Sequence, residues 1–209
     1  MEKPAPTKYP IHELIRDRWS PRAFSDRPVE EGMLHRLFEA ARWAPSSFNE
    51  QPWNFVVATK QDEEPHRALA ECLNESNRAW AQHAPVLMMS VARLTYSRNG
   101  KPNRYAYHDV GQAVAMLLVQ ATDLELVAHQ MAGFDREMAR EALAIPEGYD
   151  PVAAIALGYP GDPESLSAEL QKKEYRPRKR RDFNEFVWSG TFGTAMPFVS
   201  RVKRALEGN

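Results

Sequence analysis

The stretch that most limits what this chain can become is residues 107–124, YHDVGQAVAMLLVQATDL. It is too long for a strand, and Val110, Ala113, Val114, Leu117, Leu118 and Ala121 cover more than one face of a helix. A helix apolar nearly all round belongs at the centre of a core or in a subunit interface, not on an open surface. It is not a membrane span: the longest apolar run, 113–119, stops at Gln120, well short of the roughly 18–20 residues a bilayer requires.

Shorter elements surround it. Residues 11–18 read as a short helix and 30–44 as a stronger one, with Leu34, Leu37, Phe38 and Ala41 at helical spacing, acids in the first turn and Pro45 as its stop. Apolar runs at 53–58, 85–92, 126–131 and 152–157 predict four strands, the last closed by Gly158-Tyr159-Pro160. Residues 64–82 predict one helix, and 135–143 another with Asp135 at or near its N-cap. His108-Asp109 reads as a capping pair for the long helix. Beyond Gly161 the pattern weakens into a charged arm, about 163–209, with short helical pieces near 183–188 and 198–206. Helices outnumber strands without strict alternation, so a single α+β domain over 1–209 is expected. An arm with so little core of its own needs another surface to lie on, and a partner subunit is one candidate.

Composition narrows the function classes. The chain has 209 residues, 43% of them apolar, and 27 basic against 28 acidic side chains, a globular rather than a disordered balance. The first residues lack the apolar core of a secretory signal, which predicts a cytoplasmic protein. One cysteine, Cys72, excludes an internal disulfide and a multi-cysteine zinc site. It reads as a packing residue. The six histidines form no ligand pair, so no metal is expected; His129, inside an apolar strand, reads as a packed histidine rather than a base. Glycine-rich phosphate loops and the G-x-S-x-G elbow are missing.

Three segments are stranger than folding requires. In Arg18-Trp19-Ser20-Pro21-Arg22, two guanidinium groups flank a hydroxyl beside a proline turn, either a solvated helix end or a set of donors for phosphate or a planar acceptor. In 44–53, APSSFNEQPW, hydroxyl and amide side chains sit between two prolines; the loop is either a helix-to-strand turn or a reader of a heterocycle's edge. Residues 172–181, KKEYRPRKRR, carry seven basic side chains against one acidic, leaving 20 basic and 27 acidic elsewhere. Alone the run could bind nucleic acid, serve as a targeting signal or be a solvated tail, and the acidic remainder argues against nucleic acid. Arg178 and Arg180, two apart on an extended segment, point the same way and suit one small phosphate.

In order and spacing these segments resemble the flavin-dependent nitroreductase family. Residues 18–24 match its R-x-S-x-R-x-F opening, and 44–53 its A-P-S-x-x-N-x-Q-P-W loop nearly letter for letter. The basic arm, followed by Phe183 and Glu185, falls where the family carries a phosphate-binding basic pair. The resemblance implies a mostly antiparallel central sheet flanked by helices, and a homodimer whose C-terminal arms are exchanged, with two FMN sites at the interface. By position, Arg18, Trp19, Ser20 and Arg22 would hold the phosphate side and the pyrimidine edge. Arg22 would face N1 and O2, where negative charge grows on reduction. Pro45, Ser46, Ser47 and Asn49 would come from the partner subunit, with Gln51 supporting their loop. Asn77 falls at the isoalloxazine edge, Met131, Ala132 and Gly133 on the segment nearest N5, and Arg178 and Arg180 at the phosphate. Many members carry a glutamate where Ala132 stands. The family's Gly-Leu-Gly after the long helix is replaced by Asp123-Leu124-Glu125-Leu126.

The activity implied is a ping-pong oxidoreductase: NADH or NADPH reduces the flavin and leaves, and a nitroaromatic, quinone, enone or flavin acceptor takes its place. No side chain serves as a nucleophile. Residues 93–106, polar, basic and aromatic, are the expected substrate-facing loop. The alternatives are a non-catalytic FMN store and a dehalogenase or dehydrogenase relative. Neither nucleic acid nor a membrane is an expected partner.

Overall fold

The computed structural model describes residues 1–197. Contacts divide the chain into one compact unit, Met1–Arg176, and a second from Pro177 onward. The first is an α+β layer structure. In chain order it contains α1 (Glu13–Asp17), α2 (Glu31–Arg42), β1 (Trp53–Thr59), α3 (Glu63–Glu71), α4 (Glu75–Ala81), β2 (Val86–Arg93), α5 (Ala106–Asp123), β3 (Val127–Met131), α6 (Arg136–Ala142), β4 (Tyr149–Gly158) and α7 (Ala168–Tyr175).

The four strands form one antiparallel sheet in the order β1-β2-β4-β3. Its central strand β2 is buried along nearly its whole length, because helices cover both faces. Val86 and Met88 join Ile155 and Leu157 of β4 beneath α2 and α5. Leu87, Met89 and Val91 join Ala154 and Ala156 against α3, α4 and α6. The alternation of side chains along a strand thus feeds two cores. At the register shift after Ser90, that buried residue's hydroxyl bonds both the carbonyl (3.0 Å) and the amide (3.2 Å) of Ala153. A side chain there replaces the ladder bonds lost at a bulge.

Three expectations need correction. The helix predicted over 64–82 is two, α3 and α4. Leu73 leaves the helix to bridge Phe134, and the Asn74 side chain then accepts from Asn77 N as a new N-cap. The long helix α5 is apolar nearly all round, as expected, but within one chain only one side of it is buried. Val110, Ala113, Leu117 and Ala121 are buried, whereas Tyr107, Gly111, Ala115 and Met116 line an exposed face. His108-Asp109 does not cap α5, whose N-cap is Tyr105; the buried Asp109 turns to another loop. Residues beyond 161 are not all weakly structured either, since α7 forms behind Ser167, which caps it through Leu170 N at 3.4 Å. Its pattern was illegible because one of its few inward residues is a glutamate, Glu174. Asp135 caps α6 as expected, through Met138 N at 2.9 Å.

The second unit has a short 3-10 turn at Phe183–Glu185, closed by a reciprocal Asp182–Glu185 capping box, and a Trp188–Ala195 bridge. The helical piece expected near 198–206 lies outside the described residues.

Candidate active site

The predicted residues of the first unit fall into two sets at opposite edges of the sheet. Residues 45–51 lead into edge strand β1, and 131–133 leave the other edge, β3. Three strand spacings, about 14 Å, separate those edges.

The loop before β1 is held by two carboxyl groups to which the sequence assigned no such role, one from α5 and one from the loop itself. Asp109, 1% exposed on α5, accepts the amide of Ser47 at 3.0 Å. Glu50, also buried, accepts from Arg93 Nη2 (2.9 Å), Ser97 N (2.8 Å) and Ser97 Oγ (2.7 Å). The Ser97 amide, then its hydroxyl, hold the Glu50 carboxyl below the usual glutamate range. Between these anchors Phe48, Asn49 and Gln51 have φ of 53°, 55° and 49°, the left-handed region that L-residues avoid. Gln51 N donates to Ser46 Oγ at 3.0 Å and Gln51 Nε2 to Asn49 O at 3.2 Å, so Gln51 does brace the loop. Glu50 also ties the loop to the expected substrate-facing segment. There Arg98 lies 4.1 Å from the ring centre of the exposed Phe48 and 5.2 Å from that of Tyr96.

At the β3 edge, Arg18, Ser20 and Arg22 share a segment in which Arg18 Nη1 donates to Ser20 Oγ at 3.3 Å; Lys3 lies over the ring of Trp19. His129 on β3 meets this segment through Nδ1, 2.8 Å from Pro21 O. A carbonyl only accepts, so Nδ1 carries the proton. Burial, reinforced by Arg22 and Arg18, lowers the His129 pKa to about 4 against the opposing pull of that bond. The ring is therefore neutral at neutral pH, a packed histidine resting 4.6 Å from the Trp80 ring. Two residues further on, Met131 turns inward and Ala132 outward. Asn77 Nδ2 donates to Gly133 O at 3.0 Å, joining two of the predicted positions. A Cβ at Gly133 would stand 2.3 Å from Asn74 Nδ2 and 2.7 Å from Asn77 Nδ2, so any side chain there must push those two amides aside.

Arg178 and Arg180 belong to the second unit, where Arg180 Nη1 donates to Lys179 O at 2.8 Å. Cys72 is buried and burial raises its thiol pKa, in keeping with packing. Among the described residues no group of three or more His, Cys, Asp or Glu side chains could hold a metal ion, and no helix is long and apolar enough to cross a membrane.

Residues 15–159 match the Nitroreductase family. The chain belongs to that family. Membership makes it a flavin-type oxidoreductase. A solved structure described as an oxidoreductase containing FMN is 35% identical, with a TM-score of 0.85 over 91% of this chain and 96% of its own. A Desulfovibrio desulfuricans protein solved in complex with FMN is 27% identical, with a TM-score of 0.67 over 89% of this chain and 99% of its own. The NADH dehydrogenase of Thermus thermophilus is 31% identical over 179 residues, which cover 69% of this chain and 84% of the relative.

Proposed function

We propose that this nitroreductase-family protein is an FMN enzyme working by a ping-pong cycle. NADH or NADPH is its donor, and nitroaromatic, quinone or related flat compounds are its acceptors. The observation that carries the reading is the division of the two predicted sets between opposite sheet edges, each built and braced as a site would be.

The residues fit the cofactor. At 131–133 nothing larger than the methyl of Ala132 projects outward, so a flat ring can approach the backbone. Asn77 and Gly133 hold that backbone in place. When bound, FMN supplies the two-electron chemistry. The chain's residues orient and bind. Arg18, Trp19, Ser20 and Arg22 take the phosphate side and the pyrimidine edge, where Arg22 meets growing negative charge. Arg178 and Arg180 add charge for the phosphate.

Pro45, Ser46, Ser47 and Asn49, with Gln51 behind them, reach the same cofactor from a second copy. Two features support a dimer: the sheet-wide separation within one chain, and the open face of α5 formed by Tyr107, Gly111, Ala115 and Met116. In this reading the arm expected over about 163–209 crosses to the other protomer only after Arg176, because residues up to there belong to the chain's own first unit. Phe48, Tyr96 and Arg98 face the acceptor, and the exposed Phe48 ring, the half-buried Tyr96 ring and the guanidinium favour aromatic, electron-poor or anionic molecules.

The test is the visible spectrum of the purified protein, before and after NADH or NADPH is added without oxygen. Yellow that bleaches is the expected result. Yellow that persists makes the protein a flavin store, and a colourless protein that fails to take up FMN overturns the reading.

A further inference from the structure

The arginine-bearing segment contains one peptide group whose two polar atoms are both taken by side chains from distant elements. Its carbonyl oxygen, on Pro21, accepts from His129 Nδ1 of β3 at 2.8 Å. Its N–H, on Arg22, donates to Glu174 Oε1 of α7 at 2.8 Å. The next amide, Ala23 N, reaches the same oxygen at 3.4 Å. Coil segments normally satisfy such groups with water or their own backbone. Here the chain spends a half-buried histidine and a buried glutamate, 108 and 152 residues away in sequence, on a single peptide plane.

Glu174 does more than accept those bonds. Its side chain is fully buried, and Oε2 has no hydrogen-bond partner. That oxygen lies 3.6 Å from Arg22 Nη1, within ion-pair range but beyond a hydrogen bond. A carboxyl group buried with one oxygen unsatisfied costs stability that a leucine would not. On its other side the Arg22 guanidinium sits 5.9 Å from the ring centre of buried Trp80, the ring on which His129 also packs. Arg22 is thus fixed at its backbone by Glu174 and His129, and its charge is shared with Glu174.

We propose that Glu174 and His129 are positioning residues that lock the Pro21–Arg22 peptide, and that Glu174, by sharing the charge of Arg22, sets how strongly the site prefers reduced over oxidised FMN. The inference rests on the reading above, in which Arg22 faces the pyrimidine edge of the flavin. A full positive charge at that edge holds the more negative, reduced cofactor tightly, and a nearby acid tempers the preference.

The experiment is an anaerobic reductive titration of FMN-loaded protein against a reference dye, with the oxidised-FMN dissociation constant measured alongside. Glu174→Gln keeps an acceptor for the Arg22 amide and removes the acid. The ratio of reduced to oxidised affinity is expected to rise on the order of tenfold, with oxidised FMN bound within about threefold of wild type. A residue that merely braced the fold would change stability and leave this ratio alone. Arg22→Gln is the control and is expected to lower the ratio. If Arg22→Gln lowers it while Glu174→Gln leaves it unchanged, the inference is overturned and the proposed function stands. If Arg22→Gln leaves it unchanged, the placement of Arg22 is wrong and the inference falls with it. Should Glu174→Gln fail to fold, two His129 variants carry the test. His129→Asn retains a donor for Pro21 O and is expected to bind FMN like wild type, whereas His129→Leu is expected to bind on the order of tenfold more weakly. Equal binding by the two overturns the lock.

Discussion

The two edges of the sheet solve one problem, holding a polar loop still, by different means. Before β1 the chain is forced into three left-handed residues within four positions, and Asp109 and Glu50 hold it there. Beside β3 the backbone is ordinary coil, and rigidity comes from a peptide gripped between a neutral histidine and a buried glutamate. One loop stores strain and the other stores buried polarity. The first should therefore yield when an anchor is cut or the strain relieved, the second when the grip is protonated or crowded.

The largest effect is expected from crowding the β3 edge. Gly133→Val places branched carbon where the Asn74 and Asn77 amides already lie. It should cost about 3 kcal/mol in urea unfolding and abolish FMN retention; a variant with wild-type stability would mean that the asparagines yield freely.

Acid should come next, and should separate the edges. The folded His129 pKa of about 4 lies below its ordinary 6.5, so between those values the unfolded chain takes up a proton that the folded one refuses. The contribution is complete above pH 6.5, declines as the pH falls, and stops changing near 4, about 2 kcal/mol being lost by pH 5. Glu50 titrates lower, because its pKa is depressed below 4.5, and its contribution is lost only as pH falls through that lower range. Unfolding midpoints at pH 7, 6 and 5 should fall more steeply for the wild type than for His129→Asn, which keeps only the fall due to His66, a buried histidine whose pKa is also lowered.

Cutting an anchor at the other edge is expected to cost somewhat less. Asp109→Ala leaves the Ser47 amide without its acceptor, a loss of about 1–2 kcal/mol. The strained loop should relax, with FMN affinity falling at least tenfold; unchanged affinity would deny the loop a place at the cofactor. The smallest effect has the opposite sign. Phe48→Gly relieves a left-handed conformation and should stabilise the protein by about 0.5–1 kcal/mol. The same change removes the exposed ring under Arg98, so KM for aromatic acceptors should rise while FMN affinity holds. A KM that does not move would place the acceptor elsewhere.

Much of the framework was legible because it rests on local pattern. All four strands, α2, α5 and the Asp135 cap follow from periodicity and from residues a few positions apart. What escaped depends on distant partners. No local signal stops the helix at Leu73 except Asn74 as a cap, since the bridge that recruits Leu73 comes from Phe134. Asp109 looked like part of a helix start because it lies near one, but its partner is 62 residues upstream. Glu174 was hidden in a basic run, where one acid reads as solvated surface. The loop motifs named the residues proposed to face the cofactor; the side chains that brace them have no motif. A lone acid on the buried side of an apolar helix, as at Asp109, is the sort of mismatch that could have pointed to one of them.

The central claim is that each cofactor site draws on two chains, and a mixed dimer tests it most directly. One chain carries Ser20→Ala with Arg22→Gln, the other Ser46→Ala with Asn49→Ala, and differently tagged copies are co-expressed so that the hybrid can be isolated. Each double variant alone should fail to retain FMN. In the hybrid, one site combines the intact loop of the first chain with the intact arginine segment of the second, so it should hold one FMN per dimer. A hybrid as empty as its parents would show that both sets serve a site within one chain, and would contradict the account.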